Sequence, residues 1–248
     1  MKFATPLLKG KFLRRYKRFF ADIELDRGET VTAHTPNTGA MLTCREPGAL
    51  AYVSTNDNPK RKLKYTWELV RSGESLVGVN TLLANRLAEE AILAGKIPEL
   101  AGYGPLRREV RYGQNSRVDF LLGGNPLGEN RLGENRAEEN KGSPLCYVEV
   151  KNVSMGRGGI ASFPDAVSAR AAKHMAELAA QVRAGNHAAV LLVVQRMDCD
   201  VFEPADDIDP VYGAALRKAA AAGVRVLAWR ADVSPEGIEL AAPLPVRL

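Results

Sequence analysis

Ser116-Arg117-Val118-Asp119-Phe120-Leu121-Leu122 and Tyr147-Val148-Glu149-Val150-Lys151 are the two stretches whose reading decides the fold of this chain. Both alternate apolar and polar residues at the period of two that a pleated strand imposes. In the first, Val118, Phe120 and Leu122 share one face and Asp119 takes the other. In the second, Val148 and Val150 share a face, with Glu149 and Lys151 together on the opposite one. As neighbours in one sheet, the two strands bring Asp119, Glu149 and Lys151 together on the side away from their aliphatic residues. Two carboxylates and an amine on adjacent rigid strands form a divalent-cation site with a positioned base or electrostatic stabiliser beside it. The competing reading is a solvated face on an edge strand, because Glu-x-Lys is a common pattern.

Between the strands lies a polar interruption, about 123–145, built on tandem pentads. They are Leu127 to Arg131, Leu132 to Arg136 and the degenerate Ala137 to Lys141. Almost free of apolar residues, they cannot bury a core and read as an expanded, mobile hairpin tip with no catalytic role.

The 248-residue length suits two modest domains or one large one, and 46% apolar residues suffice for a core. No run approaches transmembrane length and no signal peptide is evident, so the expectation is a cytoplasmic protein with no membrane partner. Cys44, Cys146 and Cys199 have no metal-ligand spacing and read as small buried side chains. The net charge of +5 is uneven: residues 1–72 hold 14 Lys and Arg against 7 Asp and Glu. A basic amino-terminal third beside a carboxylate site points to a polyanion, and nucleic acid is the usual one.

Residues 1–72 read as all-β. Strand candidates are Arg18 to Leu25, Thr30 to Ala33, Ala40 to Thr43, Leu50 to Ser54 and Leu63 to Val70. Five short strands without a helix suit a small closed barrel such as an OB-fold. Lys9, Lys11, Arg14, Arg15, Lys17 and Arg18 interleave with Phe12, Tyr16, Phe19 and Phe20, and Lys60, Arg61, Lys62 and Lys64 form a second cluster. Basic residues answer phosphates and aromatics stack bases. Some of these rings must be core, and at least one of Phe19 and Phe20 is expected to be buried. His34-Thr35-Pro36-Asn37-Thr38-Gly39 is either a structural corner or a ligand contact.

Residues 73–248 read as an α/β layer around a mixed sheet. A helix is expected over Thr81 to Ala94, capped by Asn80 or Thr81 and ended by Gly95. Its Glu90 falls on the apolar stripe with Leu83 and Leu87, so it should meet a metal, a base or a buried cation. A strand over Leu106 to Tyr112 carries Glu109. A long helix from about Pro164 to Arg183, capped by Ser162 or Asp165, puts Val167, Ala171, His174 and Leu178 on one stripe beside Arg170. A lone His on an apolar face is more often a satisfied core residue, although Arg170 fits a phosphate-facing edge. Ala188 to Gln195, Val211 to Ala222 and Val224 to Arg230 read as strand, helix and strand.

The chain resembles the PD-(D/E)xK nuclease superfamily in the order of its elements and the placing of its acids. From end to end it resembles the sugar fermentation stimulation protein A family. The residues carrying that resemblance include Arg15-Tyr16-Lys17-Arg18-Phe19, the His34 to Gly39 loop, Thr66-Trp67-Glu68-Leu69, Asn85-Arg86-Leu87, Asp119, Glu149-Val150-Lys151 and Lys173-His174. The resemblance implies an α+β two-domain fold: an amino-terminal OB-like β-barrel and a carboxyl-terminal α/β restriction-endonuclease-like (PD-(D/E)xK) core. It implies DNA binding with little sequence preference, assignment as a DNA or RNA nuclease, and a link to regulation of sugar (maltose) metabolism.

The expected catalytic set is Glu90, Glu109, Asp119, Glu149 and Lys151, with Asp119 and Glu149 on Mg²⁺ or Mn²⁺. The expected nucleic-acid contacts are Arg14, Arg15, Lys17, Arg18, His34, Asn37, Arg61, Lys62, Arg170 and His174. DNA or RNA is the expected partner, and a homodimer is left open. The alternative is a DNA-binding regulator without catalysis on a nuclease fold. Ala169, Ala171 and Ala172 depart from the family pattern, which usually has Glu, Gly and Gln there, and so does the pentad segment.

Overall fold

The computed structural model describes residues 1–113, 116–124 and 144–248. The pentads and the turn at Gln114 and Asn115 lie outside the described residues. Six strands come first: β1 (Leu8–Tyr16), β2 (Phe20–Leu25), β3 (Thr30–His34), β4 (Leu50–Thr55), β5 (Tyr65–Ser72) and β6 (Ser75–Gly78). β1 pairs antiparallel with β2 and β4, β2 with β3, and β4 with β5. A parallel contact sets Ala33 and His34 of β3 against Tyr65 and Thr66 of β5 and closes the ring. Closure removes the free sheet edges, and the result is a five-stranded OB-like barrel. Inside it Phe12 stacks on Trp67, ring centroids 4.7 Å apart, among Ile23, Met41 and Val53. β6 extends the sheet from β5, so the expected boundary at 72 falls at the β5–β6 turn and the sheet runs on to Gly78.

The barrel has its five strands, but one is not where the sequence placed it. Residues 40–43 form no strand, and the first strand is Leu8–Tyr16. Its alternation is broken by a bulge between Phe12 and Arg14, which hides the period of two. Neither Phe19 nor Phe20 is buried: Phe19 is exposed, and Phe20 is half-buried and stacks on Tyr16. Phe12 fills the core instead.

The second unit begins with α1 (Leu83–Leu93) and continues with β7 (Leu106–Tyr112), β8 (Ser116–Leu122), β9 (Cys146–Val153), β10 (Met155–Arg157) and β11 (Ile160–Phe163). Then follow α2 (Ala169–Arg183), β12 (His187–Val194), β13 (Val201–Pro204), α3 (Pro210–Ala221), β14 (Arg225–Ser234) and β15 (Gly237–Leu244). The main sheet is six-stranded and mixed, in the order β15-β14-β12-β9-β8-β7, with β12 parallel to both β9 and β14. Three parallel central strands need crossovers, and α2 and α3 supply them. These two helices cover one face of the sheet and α1 covers the other. β10, β11 and β13 form a small separate sheet.

The long helix starts later than the sequence suggested. Ser168, not Ser162 or Asp165, caps it, its side chain accepting from Ala171 N at 3.2 Å. Val167 precedes the helix and is exposed, so it takes no part in the buried stripe of Ala171, His174 and Leu178. Asp165 serves the domain seam, accepting from the barrel's Met41 N at 2.9 Å. There a Cβ on Gly39 would stand 2.0 Å from Asp165 Oδ1, so any other residue would displace the Asp165 carboxylate. The seam also holds Gly78 N on Gln195 O at 2.8 Å and the buried Arg196 guanidinium on the barrel's Thr43 Oγ1 at 3.3 Å. The three cysteines are free and buried. Among the described residues no helix is long and apolar enough to cross a membrane.

Candidate functional site

β8 and β9 pair through Leu122 and Cys146, Leu121 and Tyr147, and Phe120 and Val148, and there the ladder stops. The next step of that register would set Asp119 opposite Glu149. The Asp119 side chain itself fills the gap: Oδ2 accepts from Val150 N at 2.7 Å, and Oδ1 accepts from Asn85 Nδ2 of α1 at 2.9 Å. On the other side of β8, Glu109 sits between the paired residues Arg108 and Val110, facing the same position. Its φ of 53° is left-handed, a region non-glycine residues in strands avoid. The alternation of β8 breaks here too. Val118 packs into the core under α2, whereas Phe120 and Leu122 pack into the core under α1. The shared face expected for these three residues is therefore corrected by the irregularity at Asp119.

Glu149 is almost fully buried, and with Lys151 it keeps to the face opposite Val148 and Val150. Lys151 Nζ donates to Glu149 Oε1 at 2.6 Å, and His174 Nδ1 bonds the same oxygen. Arg170 Nε, one turn earlier on α2, donates to His174 Nε2 at 3.4 Å. Glu149 Oε2 has no hydrogen-bond partner among the described residues. Burial works to raise the Glu149 pKa, but the His174 bond and the Lys151 charge outweigh it and hold the carboxyl below the usual range. Asp119 goes the other way. Burial, then the Glu149 charge, push it up to about 6. Two carboxylates with opposed shifts mark a site where charge is uncompensated.

A model described as the sugar fermentation stimulation protein RE domain matches residues 82–237, and one described as the SfsA N-terminal OB domain matches residues 13–79. The chain belongs to the sugar fermentation stimulation protein family. The homologue from Maricaulis maris is 55% identical over 249 residues, spanning 100% of this chain and 99% of its own. That from Geotalea uraniireducens is 49% identical and spans 100% of both chains. Among solved structures, the SfsA protein of Pyrococcus furiosus in complex with Ca²⁺ matches with a TM-score of 0.83 at 27% identity, covering 100% of this chain and 98% of that one. The two domains of the family coincide with the barrel and the six-stranded sheet.

Of the expected catalytic residues in this family member, Asp119, Glu149 and Lys151 come together, and Glu109 lines the same groove with Arg170 and His174. Glu90 is exposed and off the buried stripe of Ala84, Leu87, Ala88 and Ala91, which corrects its expected place on the apolar face. It pairs with the Met1 ammonium at 2.8 Å and with Arg86 at 3.0 Å, at the edge of the groove that Asp119 and Glu109 line from the other end. Asn85 is the α1 residue that touches Asp119, and the sequence reading passed over it. It stood among the residues that carry the resemblance, Asn85-Arg86-Leu87, but was given no role in the site. Tyr112 was also passed over. Its hydroxyl is buried without a partner among the described residues, and burial, then the Glu149, Glu177 and Asp119 charges, push its pKa up.

The expected nucleic-acid contacts divide into two groups. Arg14 pairs with Asp22 at 2.8 Å. Arg15 braces the His34 to Gly39 corner, donating to Gly39 O at 2.9 Å and Asn37 O at 2.6 Å. Asn37 is buried and its Oδ1 accepts from Gly39 N at 2.8 Å. Arg61 donates to Thr66 Oγ1 at 3.1 Å, next to His34, whose pKa burial lowers. Arg15, His34, Asn37 and Arg61 are thus engaged within the barrel, whereas Arg14 stays exposed beside Asp22. Lys17, Arg18 and Lys62 are exposed, Arg18 donating to Thr38 O at 3.2 Å. Arg170 is exposed at the acid groove, whereas His174 is buried against Glu149.

Proposed function

We propose that this protein binds nucleic acid along its basic barrel rim and acid groove and hydrolyses phosphodiester bonds there with a divalent cation, Mg²⁺ or Mn²⁺. The observation that carries this reading is the split between β8 and β9, where Asp119 meets the buried, half-unpartnered Glu149 and Lys151 lies beside it. Asp119 and Glu149 would hold the metal. Among the described residues no group of three or more His, Cys, Asp and Glu side chains is arranged for a metal. Two carboxylates suit Mg²⁺, which keeps several waters and takes its remaining oxygens from substrate phosphate. The cation would supply Lewis acidity at the phosphoryl oxygen. Lys151 would hold the attacking water or meet the negative charge on the oxygens of the phosphorane-like transition state. Glu109 stands where it can order a water, and Arg170 at the rim can meet a phosphate. The Pyrococcus furiosus relative was solved in complex with Ca²⁺, a hard cation that takes oxygen ligands, which is in keeping with this reading.

The second reading is a DNA-binding regulator without catalysis, tied to sugar metabolism by the family's name. The observation in its favour is that Lys151 and His174 already occupy Glu149 Oε1, a closed internal cluster. Incubation with single- and double-stranded DNA and RNA, with and without Mg²⁺ or Mn²⁺, separates the two. Metal-dependent cleavage that disappears in Asp119→Asn supports the nuclease. Binding without cleavage of any substrate supports the regulator.

A further inference from the structure

A cavity of about 280 Å³ opens between the barrel and the α/β domain, apart from the acid groove. One wall is the barrel's corner at Asn37 and Thr38 with Arg18 above it, and the other is the segment from Phe163 to Ser168 that leads into α2. Its size is near the lower end for small-ligand pockets, roughly 300 Å³, and domain junctions are where such pockets form. We propose that this cavity takes one unpaired nucleobase of a bound single strand, next to the acid groove. The proposal rests on the nucleic-acid reading above and names a subsite within it.

The lining chemistry is that of a base pocket. Asn37 and Asn152 both face it, and each has its amide oxygen committed, Asn37 to Gly39 N and Asn152 to Gln195 Nε2. The network that fixes those oxygens leaves each side chain its NH₂ group, two donors suited to the carbonyl and ring-nitrogen acceptors on a base edge. Phe163, Pro164 and Val167 give apolar surface for a base face, with Phe163 held by an edge contact to Tyr212, centroids 5.1 Å apart. Val167 is exposed at the rim, where it extends this apolar surface. The exposed Arg18 guanidinium stands at the mouth, where a phosphate would lie.

Connectivity ties the cavity to the acid groove. Asn152 directly follows Lys151 on β9, so their Cα atoms are about 3.8 Å apart. Ser168 caps the helix whose first turn carries Arg170 and whose second carries His174. The groove and the cavity thus flank the same two elements. A duplex would have to open to fill the cavity, because stacked, paired bases present no free edge and face together.

The test uses the full chain and short single-stranded DNA carrying 4-thiothymidine at successive positions, in Ca²⁺ buffer, with ultraviolet crosslinking and peptide mapping. The expected result is a crosslink to residues 162–168 or 37–39 from one position of the oligonucleotide, with neighbouring positions reaching the acid groove. Thr38→Trp, at the exposed rim, should fill the mouth and cut the cavity crosslink at least tenfold while groove crosslinks persist. Ala166→Phe, from the opposite wall, should do the same, and an unchanged melting temperature shows that either variant is folded. DNA binding with crosslinks at groove and barrel but none in the cavity, or cavity crosslinks indifferent to both variants, overturns the subsite and leaves the nucleic-acid reading standing. Absence of binding to any nucleic acid overturns both.

Discussion

Asp119 is the residue at which charge, burial and strand geometry meet. Its carboxyl titrates near 6 in the folded chain, against about 3.9 when unfolded. The folded state therefore binds the proton more tightly, and this residue's contribution to stability falls as pH rises from about 4 to about 6, staying low above that. Asp119→Asn removes the cost. It should raise apo stability at pH 8 by about 2–3 kcal/mol, with the gain vanishing below pH 4, as read by urea unfolding at both values. An equal effect at both pH values would mean that the charge is already compensated. His174 is a positioning residue: its Nδ1 holds Glu149 Oε1 and leaves Oε2 unengaged. His174→Ala should weaken Mn²⁺ binding by about 10-fold in calorimetry, the usual scale for a group that orients a ligand, and His174→Gln, which keeps a donor, should restore part of it. Identical Mn²⁺ affinity in all three proteins would reduce His174 to a packing residue.

At the level of elements, the barrel depends on β1 and the seam depends on one glycine. Phe12 is buried and stacked on Trp67. Phe12→Ala should cost about 3–5 kcal/mol in chemical denaturation, the range for emptying a buried aromatic site. Gly39 lets the corner of the barrel press against Asp165. Gly39→Ala should cost about 1–3 kcal/mol by overpacking. In an Asp165→Ala background most of that cost should vanish, since the atom struck is then absent. A double-mutant cycle measures the coupling, and additive costs would place the strain elsewhere. The left-handed Glu109 and the break in β8 belong to the same scale. They open the sheet edge where Asp119 reaches both faces.

Across the whole molecule, the basic surface divides into braces and free charges. Arg15 donates four hydrogen bonds to barrel backbone, two to Arg18 O and one each to Asn37 O and Gly39 O of the corner, while the Lys17 and Arg18 side chains are exposed. Arg15→Ala should therefore lower the melting temperature, whatever it does to binding. Lys17→Ala and Arg18→Ala should leave stability unchanged. Each should flatten the slope of log affinity against log salt by roughly 0.7 to 0.9 for every phosphate left without its cation. An unchanged slope in the folded double variant would remove this rim from the nucleic-acid surface.

The sequence by itself determined the elements whose pattern is local. β7 and β8 fall on the expected residues, and α1, β12, α3 and β14 lie within a few residues of their expected places. The barrel and the α/β layer were legible because hydrophobic period and turn residues are short-range signals. β1 was not, because a bulge breaks its alternation and its burial comes from strands far along the chain. The pairing of Asp119 with Glu149 and Lys151 could be read, since register and alternation place them. The part of Asn85, the bond from His174 to Glu149, the ammonium on Glu90 and the cavity at the domain seam could not. Each joins side chains from separate elements, and only the packing of those elements decides which atoms come within hydrogen-bond reach.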